Sequence, residues 1–346
     1  MIRSQRSIIA WLIAGALLVV IMVVVGGITR LTQSGLSMVE WNLIMGSVPP
    51  LNEMEWQQTF DKYKESPEYN IVNYEFGLED FKAIFWWEYI HRMLGRLIGL
   101  VFIIPFIIFL FQKRIDRSLL KKLIIIFLLG AFQGFLGWYM VKSGLVQDPH
   151  VSHYRLAAHL IAALTLFCLI LWTALGLIYK DNKEQKFIKY KKVRILSIIG
   201  TIVLGIQIIY GAFVAGLKAG LYYNTWPKMG NKWIPSEVLN ALPREGPVSL
   251  LDNITVVQFI HRYLAWIVAA IVMVLFLRVR KNIKNVELQR GSQFLLGMTI
   301  LQILLGIFTL TYQVPVSLGV IHQFGSVLLL AGFIFVLHRS GVKVST

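Results

Sequence analysis

Eight long apolar runs limit what this chain can fold into more strictly than any other feature of its sequence. A helix crosses the hydrocarbon core of a bilayer with about 20 apolar residues, and each run has about that length. Only 15% of the residues are charged, whereas soluble domains carry roughly 25%. We therefore predict an all-α integral membrane protein with eight transmembrane helices. The predicted spans are Ile8–Gly27, Tyr89–Phe111, Leu123–Val141, Leu156–Tyr179, Ile195–Val214, Ile254–Leu277, Phe294–Tyr312 and Val316–Leu337.

Composition excludes several other classes of protein. The low charge and the 13% aromatic content exclude intrinsic disorder. The single cysteine, Cys168, excludes a disulfide-stabilised scaffold. Arg3 and Arg6 precede the first run, as in a signal peptide, but a signal peptide has an apolar region of only about 7–15 residues. We therefore interpret the first run as a helix that is retained.

The basic residues predict the orientation of the spans. The two termini and the loops after the second, fourth and sixth spans share one side of the membrane. That side holds 21 of the 34 Lys and Arg residues but only 4 of the 18 Asp and Glu residues. By the positive-inside rule this side is cytoplasmic. We therefore predict a protein of the cell (inner) membrane with both termini on its cytoplasmic side. The basic runs then face lipid headgroups, and no nucleic-acid partner is expected.

The first half of the sequence resembles the second. Each half contains four spans, so both halves have the same orientation and form a parallel repeat about an axis along the membrane normal. We predict two four-helix bundles, in residues 1–180 and 181–346. The matched residues, at offsets that fall from 185 to 163, are Gly26 and Gly211, Trp41 and Trp226, His91 and His261, Gln133 and Gln302, and His159 and His322.

Four of the seven histidines occupy matched positions on the second, fourth, sixth and eighth spans. Each lies 17–22 residues from the first polar or basic residue at the cytoplasmic end of its span, which is roughly 25–33 Å along a helix. All four are therefore predicted at one depth, near the outer edge of the hydrocarbon. Ionisable residues inside a membrane are costly and mark functional sites. These histidines are His91, His159, His261 and His322.

Two histidines from two helices of one bundle suit axial ligation of a haem iron. A hydrogen-bonded helix contact is the alternative for a single histidine, but four at matched positions favour paired haem ligation. Zinc or copper would usually take Cys, Asp or a closer His pair. Glycines that leave room for a flat macrocycle are Gly130, Gly134 and Gly137 on the third span and Gly297 and Gly306 on the seventh.

Arg92 and Arg262 directly follow two of these histidines. An arginine at this depth can form a bidentate contact with a haem propionate. It can also extend to a lipid phosphate at the interface. We expect the propionate contact and keep the lipid contact as the alternative.

One matched position differs between the halves. Glu88 lies three residues before His91 and so shares its helix face, whereas the second half has Gln258 at this position. This difference predicts one reactive site and one redox or structural site, because a buried carboxylate suits proton transfer. A structural ion pair of Glu88 with Arg92 or Arg96 remains equally open.

Weaker candidates lie nearby. His150 and His153, in the outer loop between the third and fourth spans, could cover the site or carry protons. Gln133 and Gln302 are matched polar residues within spans, and we expect interhelical hydrogen bonds from them.

Three segments together carry a family resemblance. Glu88–Arg92 reads EYIHR at the start of the second span, Gln258–Arg262 reads QFIHR in the second half, and residues 27–32 read GITRLT at the end of the first span. With eight spans and four matched histidines, the chain resembles the haem A synthase family over nearly its whole length. The E-x-x-H-R string alone would be weak.

The resemblance implies that the chain oxidises the C8 methyl group of haem O to a formyl group, giving haem A for terminal cytochrome oxidases. Two successive oxidations would give a gem-diol that loses water. It implies a substrate haem at His91 and His159, a permanent haem b at His261 and His322, and Glu88 as the catalytic carboxylate. A haem O synthase partner is expected from the order of the pathway. The electron acceptor and a homo-oligomeric state stay open.

One departure from the family matters. Some bacterial members have a cysteine pair in the first outer loop, whereas residues 28–88 contain no cysteine. The chain is therefore similar to the cysteine-less branch that includes mitochondrial members.

Two other functions compete with this reading. A di-haem b cytochrome for electron transfer would use the same histidines, but it needs no Glu88–Gln258 difference and usually stacks its haems across the membrane. A transporter with a histidine proton relay predicts broken helices and a site at the midplane, whereas these histidines are predicted near one surface.

Overall fold

A computed structural model describes residues 2–39, 48–144, 151–179 and 190–341. Regular structure in these ranges is helical, apart from an isolated bridge between Met229 and Lys232. The helices are α1 Ile2–Leu31, α2 Glu53–Lys64, α3 Pro67–Ile71, α4 Leu78–Phe111, α5 Arg117–Lys142, α6 His153–Ile178, α7 Lys191–Gly216, α8 Ser236–Glu245, α9 Ser249–Asp252, α10 Ile254–Asn282, α11 Val286–Thr311 and α12 Val316–Arg339.

Eight of these helices are long and apolar enough to cross a membrane, which confirms the predicted fold class. They are α1, α4, α5, α6, α7, α10, α11 and α12. The main difference in length is at α4, which begins at Leu78 rather than at Tyr89. Its first turns contain Glu79, Asp80 and Lys82, so hydropathy does not mark them. The Asp80 carboxylate accepts the Gly77 N–H at 3.0 Å and so fixes this earlier start.

Helix packing follows the predicted repeat. At the centre, α1 and α6 of the first half pack against α12 and α7 of the second. The outer helices pack on these four: α4 on α1, α5 on α6, α10 on α7 and α11 on α12. Corresponding helices therefore make corresponding contacts, which is consistent with two four-helix units side by side. Leu164, Leu204, Val272 and Phe333 are among the buried residues of their shared apolar core.

One end of the bundle, which we call the loop face, contains residues 32–39 and 48–77 after α1 and residues 217–253 after α7. Here α2 and α3 pack on the first turns of α4 through an aromatic cluster, the aromatic cap. Tyr63 and Phe81 at its centre are fully buried, and their ring centroids are 5.1 Å apart. Side chains of Asn52 and Ser66 cap the two short helices. Residues 48–77 are therefore a folded cover over the start of α4.

Glu68 is a buried acid inside the aromatic cap. Its side chain is 5% exposed, and the Tyr63 hydroxyl, which accepts from Asn73, donates to its carboxylate at 3.1 Å. Burial raises the pKa of Glu68 to about 7. The hydrogen bond from Tyr63 lowers this pKa, and the nearby Glu88 raises it further. The folded cap therefore binds a proton on Glu68 more tightly than the unfolded segment does.

The linkage between this proton and folding predicts a pH effect. Because the folded pKa is above the unfolded value of about 4.3, stability of the cap falls as pH rises towards 7 and levels off above it. The loss is at most roughly 4 kcal/mol. We expect Glu68→Gln to remove this pH dependence. Hydrogen exchange of α2 and α3 amides between pH 5 and 8 measures it, with exposed Glu65→Gln as the control. An unchanged dependence in Glu68→Gln would contradict the assignment.

Candidate functional site

Each of the four matched histidines lies against a glycine of a neighbouring helix. A Cβ atom added at the glycine would lie 3.0–3.5 Å from the imidazole Cε1 atom, so at most positions a larger residue would displace the ring. The glycines themselves are repeat-matched, with offsets of 185 and 169. The pairs are Gly26 with His91, Gly137 with His159, Gly211 with His261 and Gly306 with His322.

This contact refines the interpretation of the predicted glycines. Gly137 and Gly306 accommodate the histidine rings themselves. A Cβ atom at Gly130, Gly134 or Gly297 would meet nothing within 4 Å. These three positions therefore make no close helix contact, and Gly297 lies nine residues before Gly306, on the opposite face of α11. Room for a flat ligand at these glycines stays a prediction.

His261 and His322 face each other across the second half. Their ring centroids are 6.5 Å apart and the ring planes are at 82°. A metal ion held by one nitrogen of each imidazole requires about this centroid separation, because each metal–nitrogen bond is about 2 Å long and the two ring radii account for the remainder. His261 Nδ1 lies 3.2 Å from the Gln207 carbonyl oxygen, a contact that orients a ligating imidazole. These residues fit an iron porphyrin.

Glutamines fix the backbone at three of the histidines. Gln133, Gln207 and Gln302 donate their side-chain amides to the carbonyl oxygens of His159, His261 and His322, at 3.2, 2.9 and 2.7 Å. The interhelical hydrogen bonds expected from Gln133 and Gln302 are therefore present. Each bond holds the histidine backbone against the adjacent helix.

The imidazole rings themselves are largely unpaired. The buried Nδ1 atoms of His91, His159 and His322 have no hydrogen-bond partner among the described residues. Unsatisfied buried polar atoms are rare in folded proteins. The simple alternative, a hydrogen-bonded helix contact, therefore does not explain the His91 and His159 rings.

Glu88 is 3% exposed and accepts hydrogen bonds from three donors. Arg92 binds its Oε1 atom at 2.6 Å, while the Ser37 hydroxyl and the Met38 N–H bind its Oε2 atom at 2.7 and 2.9 Å. The ion pair with Arg92 that the sequence left open is thus present. It occurs together with a link to the loop after α1, which sequence analysis did not foresee.

Arg92 and Arg262 hold this loop and its counterpart in the second half. Arg92 also donates to the Met38 carbonyl oxygen at 2.9 Å, and Arg262 donates to the carbonyl oxygens of Thr225 and Tyr223. Met38 and Tyr223 are related by the repeat offset of 185. Both arginines therefore fasten a loop over the histidine helix, and their propionate contact stays a prediction.

Glu88 and Gln258 occupy matched positions but form different hydrogen bonds. Gln258 is 2% exposed and donates to the Tyr223 carbonyl oxygen at 3.3 Å, while its own Oε1 atom is buried without a partner among the described residues. Glu88 instead accepts every hydrogen bond described above. The first half therefore holds a buried carboxyl group paired with an arginine at the point where the second half holds an amide.

The flank of the first half is more open than that of the second. Helices α10 and α11 pack along their length, whereas α4 and α5 approach each other at few positions. At the offset of 169 that relates Gln133 to Gln302, Gly130 and Gly134 of α5 correspond to Thr299 and Ile303 of α11. The outer helices of the first half are therefore less closely packed against each other than those of the second half.

The remaining candidates lie elsewhere. His153 Nε2 is 3.0 Å from Asp252 Oδ1, so it joins α6 to α9; His150 lies outside the described residues. Sequence analysis missed Arg30, whose guanidinium donates to the Ala215 and Gly216 carbonyl oxygens at 3.1 and 3.2 Å. This contact ties the end of α1 to the end of α7. No pattern signals it, because the partners are 185 residues apart.

Comparison with known proteins gives a consistent result. The family described as "COX15-CtaA: Cytochrome oxidase assembly protein" matches residues 9–334. A heme A synthase of Flavobacterium johnsoniae is 44% identical over 339 residues, which cover 97% of this chain and 98% of the relative. Heme A synthases of Nitrosospira multiformis and Wolbachia pipientis are 46% and 40% identical, over 97% and 96% of this chain and 94% and 93% of the relatives.

Proposed function

The chain belongs to the COX15-CtaA family of cytochrome oxidase assembly proteins, and on this basis we propose that it is an enzyme that converts haem O to haem A. Relatives with 40–46% identity over nearly the full chain bear the name heme A synthase. The reaction at the substrate is oxidation of the C8 methyl group to a formyl group. The product serves terminal cytochrome oxidases.

The difference between the two halves supports this proposal most directly. Both halves have a matched histidine pair, but among the described residues only the first has a buried carboxylate and a separated pair of outer helices. An exchangeable substrate needs a path to its site, and a reaction needs a reactive group beside it. We therefore assign haem O to His91 and His159 and a resident haem b to His261 and His322.

Haem O carries a long apolar tail, and the gap between α4 and α5 gives that tail a lateral path from the lipid. The closed packing of α10 and α11 favours retention of a cofactor in the second half. Substrate entry and cofactor retention are thereby separated between the repeats.

Glu88 is assigned as the catalytic carboxylate. It forms an ion pair with Arg92, and its place three residues before His91 puts it on the helix face of a substrate ligand. A carboxylate there can accept the proton released as the methyl carbon is oxidised, or stabilise positive charge that develops at that carbon. A bound haem b would supply a one-electron redox centre.

The positions of basic residues support a location in the cell (inner) membrane, with both termini cytoplasmic and the loop face outside. The histidines then lie near the outer surface. A haem O synthase is the expected source of substrate, and a second copy of this chain is a possible partner.

The contact between Gly306 and His322 gives a test of the assigned haem b site. A side chain at Gly306 would displace the His322 ring, since a Cβ atom there would lie 3.0 Å from it. We expect Gly306→Val to lose most of its haem b during purification. Gly297→Val introduces the same residue into the same helix where space is open, and it should retain haem b. Pigment content per protein distinguishes the two, and equal retention would contradict the assignment.

The proposed reaction is tested in a host that makes haem O but no haem A. Expression of this chain should produce haem A, identified by mass and by absorption spectrum after extraction. Membranes that contain this protein in abundance together with haem O, but no haem A, would refute the proposed function.

A further inference from the structure

We infer that Ser37 is a positioning residue that orients the Glu88 carboxylate for the reaction. The inference rests on the proposed catalytic role of Glu88. It concerns a residue of the loop after α1 that lies 51 positions before its partner.

The contact is short and excluded from solvent. Ser37 is 1% exposed and Glu88 is 3% exposed. The Ser37 hydroxyl lies 2.7 Å from Glu88 Oε2 and 3.1 Å from the Ser34 carbonyl oxygen. Its single hydrogen favours the nearer, charged acceptor, because hydrogen bonds to ionised groups are shorter and stronger.

The hydroxyl closes a ring of contacts around the carboxylate. Met38 N–H donates to the same Oε2 atom at 2.9 Å, and Arg92 bridges Glu88 Oε1 and the Met38 carbonyl oxygen at 2.6 and 2.9 Å. Both carboxylate oxygens are therefore held at once. The Glu88 side chain is fixed in one orientation, which a proton acceptor requires.

The turn after α1 brings Ser37 to this place. Gln33 has a left-handed backbone with φ of 53°, and the Ser34 N–H donates to the Thr29 carbonyl oxygen at 2.9 Å. Lys218, the match of Gln33 at offset 185, also has φ of 53°. Both halves therefore use the same turn to direct the following loop across the histidine helix.

The residues matched to Ser37 and Glu88 are both different in the second half. The position matched to Ser37 is Tyr222, which is 65% exposed, and the position matched to Glu88 is Gln258. The hydroxyl donor and the carboxylate are thus both present in the first half and both replaced in the second. A purely structural role in the shared turn would not require this paired change.

The test compares Ser37→Ala with Ser34→Ala in the full-length protein loaded with haem O. Ser34 is equally buried in the same loop, and its side chain contacts Thr32 at 2.6 Å rather than Glu88. We expect Ser37→Ala to lower kcat about 10- to 100-fold with KM unchanged, as for loss of a hydrogen bond to a charged group. Ser34→Ala should stay within about twofold of wild type.

An infrared measurement provides a readout that does not depend on turnover. The carboxylate band of Glu88, identified by its loss in Glu88→Gln, should shift in Ser37→Ala and stay unchanged in Ser34→Ala. Equal kcat values for Ser37→Ala and wild type, a raised KM as the sole effect, or an unshifted band would each overturn the inference. A wild-type protein that fails to make haem A would instead refute the proposed function, and the band would still report whether Ser37 positions Glu88.

Discussion

Glu88→Gln is expected to reduce haem O oxidation at least about 100-fold, the lower bound for loss of a general acid or base, while both haem sites stay filled. Gln has the same shape and can still accept hydrogen bonds from Ser37 and Met38. It cannot hold the negative charge or take up a proton. Turnover is measured as haem A formed per protein, and pigment content is measured on the same sample.

Glu287→Gln is the matched control for this variant. Glu287 also pairs with an arginine, Arg339, at 2.6 Å, but at the end of the bundle opposite the loop face. Neutralising it should leave haem A formation unchanged. A Glu88→Gln protein with wild-type turnover would show that the carboxylate is structural, and the ion pair with Arg92 would then be its whole role.

Alanine substitutions of the four histidines should separate the two sites. His261→Ala and His322→Ala should lose haem b from the purified protein, because one axial ligand remains on the iron. His91→Ala and His159→Ala should keep haem b and fail to retain haem O or haem A. All four should lose turnover, measured alongside pigment extraction with haems separated by chromatography.

His338→Ala is the control for these substitutions. His338 lies near the opposite end of α12, with ring centroids 4.9 Å from Trp172 and 6.0 Å from Tyr179. Its removal should leave both pigments in place. Loss of haem b from His91→Ala, or retention of haem b in His261→Ala, would contradict the assignment of haem b to the second half and of the substrate haem to the first.

The transmembrane helices were predictable because the hydrocarbon core imposes a length and polarity on each span by itself. The start of α4 was not, because Leu78–Glu88 is amphipathic and lies against the aromatic cap rather than in an apolar run. Besides the Asp80 cap, its first turns pack against Trp56 and Phe60, which come from a separate helix.

The candidate site was predictable as a set of residues but not as a network. Matched positions identify the histidines and the Glu88–Gln258 difference without coordinates. The contact from Ser37 to Glu88 depends on how residues 32–39 cross α4, which has no periodic signal. Likewise, the spacing of α4 and α5 results from tertiary packing. The presence of Gly130 and Gly134 where the second half has Thr299 and Ile303 could be interpreted only once that spacing was known.

The central claim is that a substrate haem lies beside a fixed haem b, and the pigment composition of the wild-type protein tests it most directly. The protein is expressed with and without a haem O synthase, purified and extracted. The account predicts one equivalent of haem b in both samples, with haem O or haem A in addition only when the synthase is present. Two equivalents of haem b in both samples, with no haem O or haem A, would contradict it and identify an electron-transfer cytochrome instead.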